Sequence, residues 1–239
     1  MPISRAAKEQ ESSPTLGIEL LPWQARVDAE GRRFNVVVSG RRVGKTHYAC
    51  YRLGKAALDG RQGKVWYVNT TQNQAMDNLW DKIFEMWGPV ITNSNSNKMW
   101  VEFVNGCKVF LKGADRPDTL RGSSIKYLVL DEYAFMKKDV WDSILRPALS
   151  DMKGDALFIG TPEGRNHFYE LFTTAQNSRF QKQWATFQFT SYENPYLDPA
   201  EIEEAKETLP RWAFEQEYMA SFAARGNEHF DVDRIAILD

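Results

Sequence analysis

The chain has 239 residues, 43% of them hydrophobic, enough for one substantial domain with a real core. Its 30 Lys and Arg against 32 Asp and Glu leave a formal net charge of -2, which excludes a general polycation, so any nucleic-acid contact has to come from a local basic patch. No apolar run has the length of a membrane span, no signal-peptide pattern opens the chain, and Cys50, Cys107, His47, His167 and His229 show neither disulfide nor metal-ligand spacing; no membrane partner is expected.

In chain order, residues 1–15 are polar and are expected to be loose. LLPWQARV then carries Trp23 and Gln24 about a dozen residues ahead of the first strand. The Gln24 amide offers the donor and acceptor that match the N6 and N7 edge of adenine, and Trp23 suits either that neighbourhood or ordinary core packing. FNVVVSG (34–40) reads as a buried strand and 46–60 as a helix ending at Gly60. A second strand is expected over 64–70, and a helix over 72–87 that stops at Gly88-Pro89. MWVEFV and CKVFLKG flank Asn105-Gly106, a hairpin signal. Strands follow at 127–133, 156–162 and 184–190, and helices at 139–149 and 166–175. The amphipathic stretch 199–222 reads as two helices divided near Pro210, either a moving lid or a static cover.

Strands alternating with helices predict an α/β fold with a mostly parallel sheet flanked by helices. Such sheets bind ligands at the carboxyl ends of their strands, and three of these strands end in SGRRVGKT, DE and GTP. The first is a phosphate-binding loop in which Ser39 takes the place of the usual first glycine. Gly40 and Gly44 let backbone N–H groups curl round phosphate oxygens, with Arg41, Arg42 and Val43 between them. Lys45 suits the β- and γ-phosphates, and the Thr46 hydroxyl suits Mg²⁺. In YLVLDE, Asp131 fits the acid that holds Mg²⁺ through water, and Glu132 the residue that polarises an attacking water. Lys98, Lys108, Lys112, Arg116 and Lys126 surround the hairpin and the next loop, as sequence-blind DNA contacts or as scattered solubilising charge.

The succession PWQ, SGRRVGKT, LRGSS, YLVLDE, FIGTPEGR and NPYLDPAEIEEAKETLPRWAFEQEYMASF resembles the ATPase domain of the large terminase subunit of tailed bacteriophages, over about residues 16–225. The resemblance implies a P-loop NTPase of the ASCE, RecA-like type. It divides the chain into a core over 16–190, a helical lid over 191–225 and a linker over 226–239. It implies ATP with Mg²⁺, and a motor that moves double-stranded DNA into a procapsid in the cytoplasm of the infected host. The implied partners are the portal protein, the small terminase subunit and further copies in a ring, commonly of five, with free subunits monomeric. Arg121 of LRG matches the arginine finger that reaches a neighbour's ATP. Arg41 or Arg42 would be a cis arginine on the phosphates, and Thr161 matches the coupling motif. Large terminases usually continue into an RNase H-like nuclease domain, for which these residues leave no room, so no nuclease activity is expected of them. Two rivals stay open: a helicase-like motor, which shares the glutamine, loop and DE, and an ATP-gated assembly module with little turnover.

Overall fold

The computed structural model describes residues 17–222, so the expected loose segment 1–15 and the linker 226–239 lie outside the described residues. Among the described residues, eight strands form one sheet: β1 (Phe34–Ser39), β2 (Lys64–Asn69), β3 (Ile91–Asn95), β4 (Trp100–Phe103), β5 (Lys108–Gly113), β6 (Ile125–Asp131), β7 (Asp155–Gly160) and β8 (Trp184–Phe189). Their spatial order is β3-β4-β5-β2-β6-β7-β1-β8. The six from β5 to β8 in that order pair in parallel, and β3 and β4 add an antiparallel margin. A parallel strand covered on both faces has no side for water, which is why β1 and β6 are buried along their whole length.

Seven α-helices accompany the sheet among the described residues: α1 (Pro22–Glu30), α2 (Lys45–Leu58), α3 (Gln72–Trp87), α4 (Arg146–Ala148), α5 (His167–Ala175), α6 (Pro199–Thr208) and α7 (Arg211–Glu217). Local chemistry sets their starts. The Thr71 hydroxyl accepts from the Gln74 N–H before α3, Asn166 from Phe168 before α5, and Asp198 from Ala200 before α6. α1, α2 and α3 pack on one face of the sheet through Val27, Leu53, Leu79 and Ile83. α5 and the turn around Trp141 pack on the other through Phe168, Phe172 and Trp141. α2 and α3 approach closely at Gly54, where an added Cβ would lie 2.0 Å from the Trp87 ring; the Trp87 indole donates to the Cys50 carbonyl at 3.1 Å.

The expected strands and helices form within a residue or two of their expected limits, except that the helical stretch expected to reach residue 222 ends at Glu217; three further differences stand out. The helix expected over 139–149 is wound as a π-helix over Val140–Leu145 before the short α4. Pro147 explains the change: it has no N–H to give, and its ring crowds the carbonyl one turn back, so the preceding turn widens. The edge strand β3 was not expected, because ITNSN is polar; its three middle residues are exposed, and pairing with β4 and the packing of Ile91 on the core hold it in place. α1 was also not expected; it starts at Pro22, whose fixed φ suits a first helical position, and its hydrophobic alternation is weak.

Candidate functional site

Because β1, β2, β5, β6, β7 and β8 run in parallel, their carboxyl ends share one edge of the sheet. β1 feeds that edge with residues 40–44 and then α2. Two left-handed residues, Arg42 at φ 57° and Gly44 at φ 97°, bend this loop. Each of its carbonyls accepts a side-chain donor. Lys45 Nζ bonds Gly40 O at 3.0 Å, Ser191 Oγ bonds Arg41 O at 2.8 Å, and Asn194 Nδ2 bonds Arg42 O at 2.6 Å. Trp23 Nε1 bonds Val43 O at 3.0 Å, and Gln24 Nε2 bonds Gly44 O at 3.1 Å. With the carbonyls held outward, the amide groups of residues 42–46 have no protein acceptor among the described residues. Converging N–H groups at a helix N-terminus form an anion-binding nest.

β7 lies between β1 and β6, so its carboxyl end stands between the loop and the acidic strand end. Thr161 follows it and touches both sides. Its hydroxyl accepts from Lys45 Nζ at 2.8 Å, and its N–H points at Glu132 Oε2 at 3.4 Å. Lys45 Nζ is also 3.9 Å from Glu132 Oε1. Burial lowers the proton affinity of Lys45, against the opposing pull of Glu132 and Asp131. Asp131 is 1% exposed and accepts from the Tyr67 hydroxyl at 2.6 Å and from the Glu132 N–H at 3.0 Å. Burial, then the Glu132 charge, raises its pKa above the ordinary aspartate value. Glu132 itself is left-handed, at φ 56° and ψ 43°.

The segment before and within α7 grips this edge from outside. Arg41 donates its N–H to the Glu217 carbonyl at 2.6 Å, and its guanidinium pairs with the Glu217 carboxylate. Gln216, 1% exposed, accepts from the Gly164 N–H at 3.0 Å and donates to Glu163 at 3.1 Å. Gly40 permits the close approach: an added Cβ would meet Ser191 Oγ at 2.5 Å and the Tyr218 carbonyl at 2.6 Å. A cleft of about 740 Å³ opens beside Gly44, lined in part by Ile18, Leu21, His47, Glu85 and Tyr196.

The structure brings Ser39, Gly40, Arg41, Arg42, Val43, Gly44, Lys45, Thr46, Asp131, Glu132 and Thr161 to one edge, as the motifs predict. Several expectations need correction. Trp23 is 3% exposed, packed on Tyr48 and Phe189, and serves the loop through its indole N–H rather than facing a ligand. Gln24 is buried yet borders the same cleft; its amide oxygen accepts from the Leu21 N–H at 2.9 Å and its nitrogen donates to the Gly44 carbonyl at 3.1 Å, so it joins the cleft to the phosphate loop. Lys126 is 1% exposed and bonds Asp59 at 3.0 Å and the Arg61 carbonyl at 2.8 Å, which removes it from any DNA surface. Among the other basic candidates, Lys98 and Arg116 are exposed, and Lys108 and Lys112 are half-buried on β5. Arg121 is exposed in the β5–β6 connection and pairs with Asp118 at 3.3 Å. Tyr67, Ser191, Asn194 and Gln216 were not anticipated; they act on partners far along the chain, and no local pattern marks them.

Residues 36–237 match the family described as "Terminase large subunit, T4likevirus-type, N-terminal". The large terminase subunit of Escherichia phage T5 is 30% identical over 237 residues, covering 97% of this chain and 53% of that protein, so the chain spans about half the length of that relative. Among solved structures, the large terminase ATPase domain of Thermus phage P74-26 superposes with a TM-score of 0.74 at 24% identity, over 87% of this chain and 96% of that one. The large terminase of a thermophilic bacteriophage in complex with ATP-gamma-S gives a TM-score of 0.72 at 14% identity, over 86% of this chain and 53% of that one. The mostly parallel sheet, with β7 between the loop strand and the acidic strand, is the RecA-like P-loop arrangement. On these grounds the chain belongs to the terminase large subunit family and represents its N-terminal, P-loop part.

Proposed function

We propose that this chain hydrolyses ATP as the motor domain of a DNA-packaging machine. It would drive double-stranded DNA into a procapsid as one subunit of a ring on the portal, with the small terminase subunit as a partner, in the infected cell's cytoplasm. The observation that carries the ATP reading is the loop whose carbonyls are all tied outward while the amides of residues 42–46 face no protein acceptor. That arrangement suits a polyanion and little else. The 740 Å³ cleft beside Gly44 has room for the nucleoside end.

The remaining residues divide the chemistry. Lys45, held by Thr161 and Gly40 at one end of the nest, would neutralise charge on the transferred phosphoryl group. Glu132, partly exposed and beside Thr161, would orient the attacking water and take up its proton. Thr46 and Asp131 supply hard oxygen donors suited to Mg²⁺, which when bound would offset the charge of the phosphates. The raised proton affinity of Asp131 fits that use, because a buried carboxylate without a cation is unfavourable. Thr161 bridges Lys45 and Glu132, so loss of the γ-phosphate would be felt at once along 161–164 and, through Gln216, in α7. On this reading α6 and α7 form a lid that moves with the nucleotide. The test is phosphate release by the purified chain in rings and as monomer. Lys45→Ala and Glu132→Ala should each lower the rate by at least ~10²; turnover that survives both substitutions would refute the assignment.

A further inference from the structure

Away from the nucleotide edge, burial along β4 and β5 alternates residue by residue. Val101, Phe103, Val109 and Leu111 go into the core beneath α2 and α3, while Trp100, Glu102, Lys108, Phe110 and Lys112 lie half-buried on the opposite face. On that face Trp100 pairs with Phe110, and Phe110 with Trp66, so three rings line up across β4, β5 and β2. Lysines stand over them. Lys108 Nζ is 4.2 Å from the Trp100 ring centre, and Lys112 Nζ is 5.4 Å from Trp66 and 5.7 Å from Phe110. Lys64 Nζ approaches Phe110 from the other side at 5.9 Å.

The charges on this face are not balanced. Lys108 has Glu102 at 3.7 Å. Among the described residues, Lys64 and Lys112 have no carboxylate within ion-pair distance, and they converge on one ring. Lys112 lies below the ordinary lysine pKa, from burial first and then from Lys64. Beneath Lys112, the Trp66 indole N–H is buried without an acceptor among the described residues. At the amino ends of β2 and β5 the face continues into a cleft of about 320 Å³, whose lining includes Arg61, Lys64, Asn105, Lys108 and Phe110 and no Asp or Glu. Arg61 there is already paired with Asp59 and Asp155, which leaves Lys64 and Lys112, among the described residues, as the two like charges free to meet an anion.

We infer that this face, carried by Lys64, Lys108 and Lys112, binds the phosphate backbone of double-stranded DNA. The inference rests on the DNA-motor reading above and gives its DNA a place on the sheet. A duplex presents one negative charge per ~1.7 Å of axis, so ammonium groups spread over ~13 Å of β5 meet phosphates whatever the register or sequence. Lysine suits that use, being a flexible point charge rather than a base-reading fork. The rings argue against single strands as the occupant: base stacking needs open ring faces, and here the ammonium groups cover them. Lys64 and Lys108 begin their strands and Lys112 lies near the carboxyl end of β5, so the DNA would run along the face of the sheet, entering from the edge opposite the nest.

The test is fluorescence anisotropy of a labelled random-sequence duplex with the full chain, from ~50 to ~200 mM salt. The combined Lys64→Ala, Lys108→Ala, Lys112→Ala variant should bind ~10-fold or more weakly at low salt, with the log–log salt slope reduced by ~2–3. The matching triple arginine variant should keep both, and thermal melting of both variants guards against misfolding. If the unmodified chain binds and the alanine variant keeps its full slope, the surface is wrong and the motor reading stands. If the unmodified chain does not bind duplex at all, both fall. A variant that loses only single-strand binding would overturn the duplex assignment.

Discussion

At the scale of single residues, the site depends on how each side chain is held as much as on what it is. Glu132 touches Thr161 and Lys45 but sits on the rim, while Asp131 is sealed under it by Tyr67. The two carboxylates should therefore fail differently. Glu132→Gln keeps the shape and removes the proposed base, so it should retain nucleotide affinity while turnover falls by ~10²–10⁴; equilibrium binding beside single-turnover phosphate release checks this. Gly54 gives a residue-scale prediction of another kind. Alanine is normally better than glycine inside a helix by ~1 kcal/mol. Here the Trp87 ring occupies the space, 2.0 Å from an added Cβ, so Gly54→Ala should destabilise by ~1–3 kcal/mol in urea unfolding despite its helix propensity.

At the scale of elements, α7 stands out because neighbouring side chains in it reach two different parts of the site. Glu217 holds Arg41 of the phosphate loop, and Gln216 holds Gly164 and Glu163 beyond Thr161. Gln216→Ala would leave the Gly164 N–H without its acceptor, a loss of ~1–3 kcal/mol for a buried donor. Hydrogen exchange should then rise together in 161–165 and in α7, and turnover should fall more than nucleotide affinity. Exchange confined to α7 would mean the two are not coupled. The same elements show what the sequence made readable. SGRRVGKT, the DE after four apolar residues, and GTP each carry their meaning within a few positions, and the parallel sheet then gathers them. Contacts such as Asn194 to Arg42, Trp23 to Val43 or Lys126 to Asp59 join residues 20 to 152 positions apart. No local pattern encodes them, which is why Lys126 read as a surface charge although it is the second residue of a central strand covered on both faces.

At the scale of the whole molecule, Arg121 is where the proposed ring can be tested. It lies in the β5–β6 connection with Asp118 as its partner, and not in the cluster around Lys45. If it completes a neighbour's site, neither Arg121→Ala nor Lys45→Ala alone should turn over, yet mixtures under assembling conditions should recover part of the activity. In a mixed ring, some interfaces pair an intact nest with an intact arginine. A finger supplied in trans is worth ~10³–10⁵ in rate, so even a minority of restored interfaces should be measurable. Mixtures as inactive as either parent would remove the trans role.

The left-handed backbone at Glu132 has a consequence for anyone who would improve this protein. A non-glycine residue there costs on the order of 1 kcal/mol, which Gly or Asn would largely recover. If Glu132 is the base proposed above, a library sorted only for heat resistance should drift toward glycine or asparagine at this position and return robust, catalytically silent proteins. Selection for thermal endurance has to be coupled to turnover in every round, because at this one position the two pull in opposite directions.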